Sequence, residues 1–168
     1  GVAITHSNIT NKLLTLSSGF SAQPKERIAF ISSVAFDPSI EQTILSLLHA
    51  AAVIVVTDST RNSPHQFWDY LAQSKVNVLD CTPSFLSSIF LPDTNNVSLN
   101  QIVLGGEVLD AKLYHTITSR FPGTKIVNLY GPSETTIDAT AHSPSGSVLD
   151  TSLPIGRPLP NYRVYVLD

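Results

Sequence analysis

The hydrophobic residues of the chain alternate between two spacings, one typical of β-strands and the other typical of α-helices. Apolar runs rich in β-branched residues predict strands at 27–35, 51–57, 76–81, 99–104 and 125–130. Apolar residues at helical spacing predict helices at 5–19, 38–48, 63–73, 83–90 and 110–120. Strands that alternate with helices of this length favour an α/β fold, a doubly wound and mainly parallel sheet with right-handed crossovers.

Three of these segments carry more detailed expectations. The run 51–57 has no polar alternation, which predicts a strand buried on both sides. The helix at 63–73 is expected to turn Phe67, Tyr70 and Leu71 inward. In the helix at 38–48, the residues that share an apolar face are Ile40, Ile44, Leu47 and Leu48.

The alternation stops near residue 138. No helical period follows, and Tyr162 to Leu167 alternates like a half-exposed strand. We therefore predict an α/β subdomain over residues 1–140 and, over 141–168, a connection and a strand that lead to a neighbouring β subdomain.

Composition narrows the possible classes of protein. A net charge of −3 over 168 residues gives no electrostatic reason to expect nucleic acid or an anionic membrane as a partner. The longest apolar run, 50–56, is far too short to span a bilayer. The single cysteine, Cys81, excludes an internal disulfide and fits a reducing, cytoplasmic compartment, where we expect it to be a small core residue. Because the chain contains no methionine, we expect it to be a piece of a longer protein.

The most informative chemistry follows the strand predicted at 125–130. Gly131 and Pro132 end that strand, and Ser133, Glu134 and two threonines come next. Hydroxyls and turn N–H groups at the carboxyl end of a strand suit a phosphate, and a glutamate there suits Mg²⁺. The alternative is a plain turn followed by a capped helix. Five scattered histidines without ligand spacing give no reason to expect a transition-metal site.

Five segments, taken together, resemble the adenylate-forming enzymes, and specifically the amino-acid adenylation domains of nonribosomal peptide synthetases. Residues 128–136 (NLYGPSETT) resemble the signature N-x-Y-G-P-[ST]-E-[ST]-T. The other matches, in the order of the family, are 1–8, 35–39 (F-D-x-S), 104–107 (L-G-G-E) and 154–168 (P-I-G-[RK]-P…V-Y-V-[LV]-D). The resemblance covers the whole chain and implies a flavodoxin-like subdomain.

The resemblance implies roles for particular residues. Ser133 and Glu134 would be catalytic, with Ser133 at the α-phosphate and Glu134 holding Mg²⁺. The residues implied at the ATP or AMP site are Gly105, Gly106, Glu107, Asn128, Tyr130, Gly131 and Ser133. Tyr130 would stack on adenine and Asn128 would hydrogen-bond it. For Glu107 a solvated loop charge is the alternative interpretation.

The resemblance also implies a substrate pocket. Its residues are Asp37, Pro38, Glu41, Asp80, Val103, Gly105, Leu129, Ile137 and Asp138. Asp37 would anchor the α-ammonium of the amino acid, although it could instead cap the helix that follows. Glu41, Asp80 and Asp138 would surround the side chain, which favours a basic amino acid as substrate because a cation compensates them. Glu41 could instead point to solvent.

The implied reaction joins a carboxylate to ATP and gives an aminoacyl-adenylate and pyrophosphate. The family's phosphate loop, its ribose-binding aspartate and its catalytic lysine have no match within these residues, so we expect the isolated chain to be inactive. In the parent protein, the remaining adenylation subdomains and a carrier-protein domain would be its partners. A fragment of an acyl-CoA or aryl-acid ligase and a non-catalytic binding module remain as alternatives.

Overall fold

The computed structural model of the chain describes residues 1–17, 25–91, 97–146 and 151–167. Helices and strands alternate along most of it. The helices are α1 (His6–Ser17), α2 (Pro38–Ile40), a π-helix (Glu41–Leu45), α3 (Ser46–Leu48), α4 (Asp58–Arg61), α5 (Pro64–Gln73), α6 (Pro83–Ile89), α7 (Ala111–Arg120) and a 3-10 turn (Ser133–Thr135). The strands are β1 (Arg27–Phe30), β2 (Ala52–Val55), β3 (Val78–Cys81), β4 (Gln101–Leu104), β5 (Lys125–Tyr130), β6 (Thr140–His142) and β7 (Arg157–Pro158).

The seven strands form one sheet in the order β2-β1-β3-β4-β5-β6-β7. The first five strands are parallel to their neighbours, whereas β6 and β7 are antiparallel additions beyond β5. The predicted α/β fold with a mainly parallel sheet is therefore confirmed. Because these five strands run in the same direction, the carboxyl ends of β1, β3, β4 and β5 meet along one edge.

Both faces of the sheet are covered, as a doubly wound sheet requires. Side chains alternate along each strand, so Ile102 of β4 joins one hydrophobic cluster while its neighbour Val103 joins another. The larger cluster contains Phe67, Trp68 and Leu71 of α5. The smaller one contains residues from α1, the π-helix, β4 and β5, and it lies next to the pocket described below.

Two details of the predicted packing are wrong. β2 is an edge strand, and Val55 is 59% exposed, so this run is not buried on both sides. In the segment 38–48, Ile44, Leu47 and Leu48 are exposed, whereas Glu41, Gln42, Leu45 and Ser46 are buried. The turn at 41–45 is π-helical, which changes the residues per turn, so a 3.6-residue period does not locate the inward face.

The tail also departs from the prediction. The structure assigns no strand to residues 162–167, and Val164 to Leu167 are exposed. Instead, β6 and β7 extend the main sheet antiparallel beside β5. The division at residue 140 stays a prediction, and the last two residues of the helix predicted at 5–19 lie outside the described residues.

Candidate functional site

A cavity of about 120 Å³ opens at the edge where the parallel strands end. Asp37 reaches it from the segment after β1, Thr82 from the residue after β3, Gly105 from the residue after β4, and Gly131 from the residue after β5. The structure brings all nine residues of the predicted substrate pocket into its lining. The other residues that line it are Ser32, Gln42, Cys81, Thr82, Gly106 and Gly131.

The chain turns back sharply after β5, and this turn forms one wall of the cavity. Gly131 permits the close approach, because a Cβ there would lie 2.4 Å from Cα of Asp138. Thr136 and Ile137 both have positive φ, 66° and 72°, which is unusual for β-branched residues. The amide of Ala139 then donates to Tyr130 O at 2.7 Å, which closes the turn and points Asp138 inward.

Beneath the cavity lies a fully buried lysine that the sequence analysis missed. Lys12 Nζ, from α1, is 2.8 Å from Asp138 Oδ2, 3.1 Å from Asp138 O and 3.5 Å from Glu41 Oε1. Its side chain is 0% exposed, and those of Glu41 and Asp138 are 8% and 7% exposed. The chain therefore supplies its own cation to two of the three acidic residues predicted at the substrate side chain.

Burial raises the pKa of both carboxyl groups. Burial, with the nearby charge of Asp138, raises the pKa of Glu41 well above its usual value. Burial also raises the pKa of Asp138, although the Lys12 ammonium beside it opposes that rise. Lys12 carries one positive charge between two carboxyls. The 2.8 Å contact makes Asp138 the closer partner of Lys12, and burial disfavours a second charged carboxylate at Glu41. Glu41 does not point to solvent, so that alternative is wrong.

The third acidic residue, Asp80, is held by a different partner. Gln42, buried in the π-helix, donates to Asp80 Oδ2 and to Asp80 O, each at 3.1 Å. The oxygen of the same amide accepts from the N–H groups of Ile31 and Ser32, both at 3.1 Å. Gln42 thus fixes the end of β1 to the end of β3 and orients the Asp80 carboxyl.

The stability of the chain should depend on pH through Asp80. Burial raises the pKa of Asp80 from 3.8 to about 7, so the folded state binds a proton more tightly than the unfolded state does. Its contribution to the free energy of unfolding is fully present below pH 4 and is lost as the pH rises through about 7, a loss on the order of 2–4 kcal/mol. Urea denaturation between pH 4 and about 7 should show a smaller fall in the free energy of unfolding for Asp80→Asn than for the wild type. An equal fall in the two proteins would mean that Asp80 does not cause this pH dependence.

Asp37 and Ser133 meet across the mouth of the cavity. Ser133 Oγ donates to Asp37 Oδ2 at 2.7 Å. Asp37 stands at the N-cap position of α2 but makes no side-chain capping bond there. The residue predicted to hold an ammonium group and the residue predicted to touch a phosphate are thus in direct contact.

The remaining predicted residues lie around this edge and differ in exposure and in hydrogen bonding. The Tyr130 ring is half exposed, whereas Asn128 is buried and its amide donates to Pro154 O at 2.9 Å. Glu107 is exposed in the loop after β4, as the alternative interpretation expects, and its carboxylate also accepts from Ser84 N at 2.9 Å and Ser84 Oγ at 2.6 Å. Gly106 lies beside Thr82 with a φ of +79°.

Glu134 is the predicted metal ligand, and it is exposed at the first turn of the 3-10 segment. Over the described residues, no hydrogen bond or ion pair is recorded for its carboxylate, and no group of three or more His, Cys, Asp or Glu side chains could hold a metal ion. A single exposed carboxylate fits Mg²⁺, which usually binds one or two protein carboxylates together with phosphate oxygens and water.

The signal that could have revealed Lys12 is its position on α1. Lys12 lies one residue before Leu13 and four before Leu16, both of which are buried, so it falls on the apolar face of the helix. A lysine on such a face needs a buried acidic partner. The sequence pattern gives no comparable signal for Gln42.

Comparison with known proteins agrees with this geometry. The model of the AMP-binding enzyme family matches residues 1–168. The chain is 30% identical to a dimodular nonribosomal peptide synthase of Bacillus subtilis (strain 168) and 29% identical to malpinin synthetase of Mortierella alpina. Both alignments cover 100% of this chain, which spans only 7% and 2% of the length of those two proteins.

Solved structures give the same result for the fold. The Vibrio cholerae adenylation domain AlmE, in complex with glycyl-adenosine-5'-phosphate, is 25% identical with a TM-score of 0.83, covering 94% of this chain and 30% of that one. A four-domain nonribosomal peptide synthetase bound to AMP and glycine is 27% identical with a TM-score of 0.81, covering 95% of this chain and 12% of the other.

None of the helices in the described ranges is long and apolar enough to cross a membrane.

Proposed function

Because the chain belongs to the family of AMP-binding enzymes, we propose that it is the substrate-binding part of an adenylation domain that activates an amino acid for nonribosomal peptide synthesis. The observation that carries this proposal is the contact between Asp37 and Ser133 at the mouth of a cavity lined by all nine predicted pocket residues. An α-amino acid needs an anchor for its ammonium group close to the place where its carboxylate reacts. Asp37 provides the anchor, and Ser133, one hydrogen bond away, marks the place where the carboxylate would react.

The proposed reaction is an in-line attack. A carboxylate oxygen of the amino acid bonds to the α-phosphorus of ATP while the bond to the bridging oxygen breaks, which releases pyrophosphate. Asp37 orients the attacking amino acid through its ammonium group. The Ser133 hydroxyl has one hydrogen to donate, so it releases Asp37 and donates to an α-phosphate oxygen when the nucleotide is bound. Charge stabilisation of the transferring phosphorus dominates catalysis of this kind.

The nucleotide and the metal ion would bind at the outer edge of the same site. The exposed Tyr130 ring offers a face for adenine, and the backbone at Gly105 and Gly106 can be approached closely. Asn128 would contact adenine only after giving up its bond to Pro154 O. Glu107 supports this edge by holding the first turn of α6. Glu134 would hold Mg²⁺, which when bound neutralises charge on the phosphates.

We propose a basic amino acid as the substrate, with Asp80 as the partner of its side chain. The ion pairs of Lys12 go to Asp138 and Glu41, whereas the carboxylate of Asp80 lines the cavity and accepts a hydrogen bond from the neutral Gln42 amide. A pKa of about 7 means that a nearby cation can shift Asp80 to its charged form at little cost. The remaining adenylation subdomains, a carrier-protein domain and a cytoplasmic location are proposed for the parent protein. The inactivity of the isolated chain stays a prediction.

The test is adenylation by the full-length protein that contains this chain. Pyrophosphate exchange into ATP should depend on an added amino acid and should be faster with ornithine, lysine or arginine than with leucine or phenylalanine. Asp80→Asn should reduce that preference by about tenfold, because the cation loses its charged partner. Exchange supported by a fatty or aryl acid instead would favour the ligase alternative. A preference for leucine that survives Asp80→Asn would overturn the basic substrate.

A further inference from the structure

The buried Lys12 has no role in the reaction described so far. It does not line the cavity itself, but its two ion-pair partners, Asp138 and Glu41, do. Of its contacts, the bond to Asp138 Oδ2 is the shortest, at 2.8 Å. Asp138 Oδ1 lies 3.8 Å from the point that a Cβ on Gly105 would occupy, so the other oxygen of this carboxylate faces the cavity floor.

We infer that Lys12 sets the charge that the pocket presents to the substrate side chain, and so sets its preference between cationic and neutral amino acids. The inference rests on the proposed function, because it concerns the same pocket. Lys12 compensates Asp138, Glu41 lies next to that pair, and Asp80 remains to recognise one positive charge. The substrate class that follows is an amino acid with a single cationic group in its side chain.

Packing alone does not explain a lysine at this position. The other buried residues of α1 are Leu13, Thr15 and Leu16, and methionine has nearly the same length and shape as lysine without any need for a charged partner. A buried ammonium is costly unless carboxylates surround it, and a hydrophobic replacement of a whole buried ion pair is often neutral or stabilising. Stability therefore gives no general reason for a buried ion pair at this position, which is consistent with a role in the binding site.

The experiment compares two substrates in the full-length protein. Ornithine and norleucine have side chains with the same number of heavy atoms, and only ornithine carries a charge. The readout is the ratio of kcat/KM for ornithine to kcat/KM for norleucine. Lys12→Met removes a positive charge beneath the cavity, so it should raise this ratio by about tenfold or more. Asp138→Asn leaves the ammonium of Lys12 less compensated and should lower the ratio by a similar factor.

The double variant separates charge from damage to the fold. In Lys12→Met with Asp138→Asn, both charges are removed together, so the ratio should return to within about threefold of the wild type. If Lys12→Met alone does not fold, Asp138→Asn and the double variant still test the inference. The matched control is Lys112→Met, at an exposed position of α7, which should leave the ratio unchanged.

Each outcome decides the matter. A ratio that moves in opposite directions in the two single variants and is restored in the double variant supports the inference. Equal losses with both substrates, which leave the ratio unchanged, would reduce Lys12 to a structural residue and overturn the inference while the proposed function stands. Absence of exchange with every amino acid in the wild type would overturn the proposed function itself.

Discussion

Alanine at position 156 is expected to destabilise the folded chain by about 3 kcal/mol or more. Gly156 has a φ of +88°, and an added Cβ would lie 1.9 Å from Ala141 O and 2.3 Å from Ala141 C. These are backbone atoms of β6, so they cannot turn aside as a flexible side chain would. The new methyl group has to push β6 away from the segment that leads into β7.

Gly146→Ala is the matched control for this substitution. Gly146 has a similar φ, +78°, but a Cβ there meets nothing within 4 Å. The left-handed backbone alone should therefore destabilise this variant, by about 1–2 kcal/mol. Urea denaturation of both variants and the wild type measures the difference directly. Equal destabilisation by the two substitutions would mean that β6 shifts without cost and that the close packing at Gly156 does not contribute to the free energy of unfolding.

Asp37→Ala should lower kcat/KM for the amino acid by about a hundredfold or more in the full-length protein. The α-ammonium then enters a site without its counter-charge, and breaking such a pair costs about 3 kcal/mol or more when it is shielded from water. The Ser133 hydroxyl also loses the carboxylate that accepts its hydrogen bond. Amino-acid-dependent pyrophosphate exchange measures the effect.

The control for Asp37 is Asp69→Ala, which removes an exposed carboxylate from α5 and should leave exchange unchanged. A second comparison uses a substrate analogue in which hydrogen replaces the amino group. Such an analogue cannot use the anchor, so wild type and Asp37→Ala should process it equally slowly. Full activity of Asp37→Ala with the amino acid would mean that Asp37 does not bind the ammonium group and only precedes α2.

The sequence located the sheet and the ligand edge well because those features depend on local pattern. The run from Lys125 to Tyr130 is apolar, β-branched and ended by Gly131-Pro132, and β5 has these bounds in the structure. The strands before it were predicted from the same kind of pattern, with errors of a few residues at their ends. The pocket residues were assigned by resemblance, and the parallel topology then brings them to one cavity.

Long-range partners could not be predicted in the same way. Lys12 and Asp138 are 126 positions apart, and nothing in either local pattern indicates that they form a pair. The face of the helix at 38–48 was wrong for a related reason. Glu41 and Gln42 are turned inward by polar partners on other elements, namely Lys12 and Asp80, and a hydrophobic period assumes that apolar residues face the core. Such polar contacts depend on the assembled fold.

The turn at Thr136 and Ile137 bears on how this chain could change under selection. Two consecutive β-branched residues at positive φ cost roughly 1–2 kcal/mol each, and glycine or asparagine would adopt the same backbone more cheaply. Ile137 also forms part of the cavity wall, and Asp138 follows it. Selection for thermal stability alone would therefore favour glycine or asparagine at these two positions. Because Ile137 and Asp138 line the cavity, a glycine that relieves this strain would also alter the cavity wall, so the thermal stability of the chain is better raised by substitutions elsewhere in the fold.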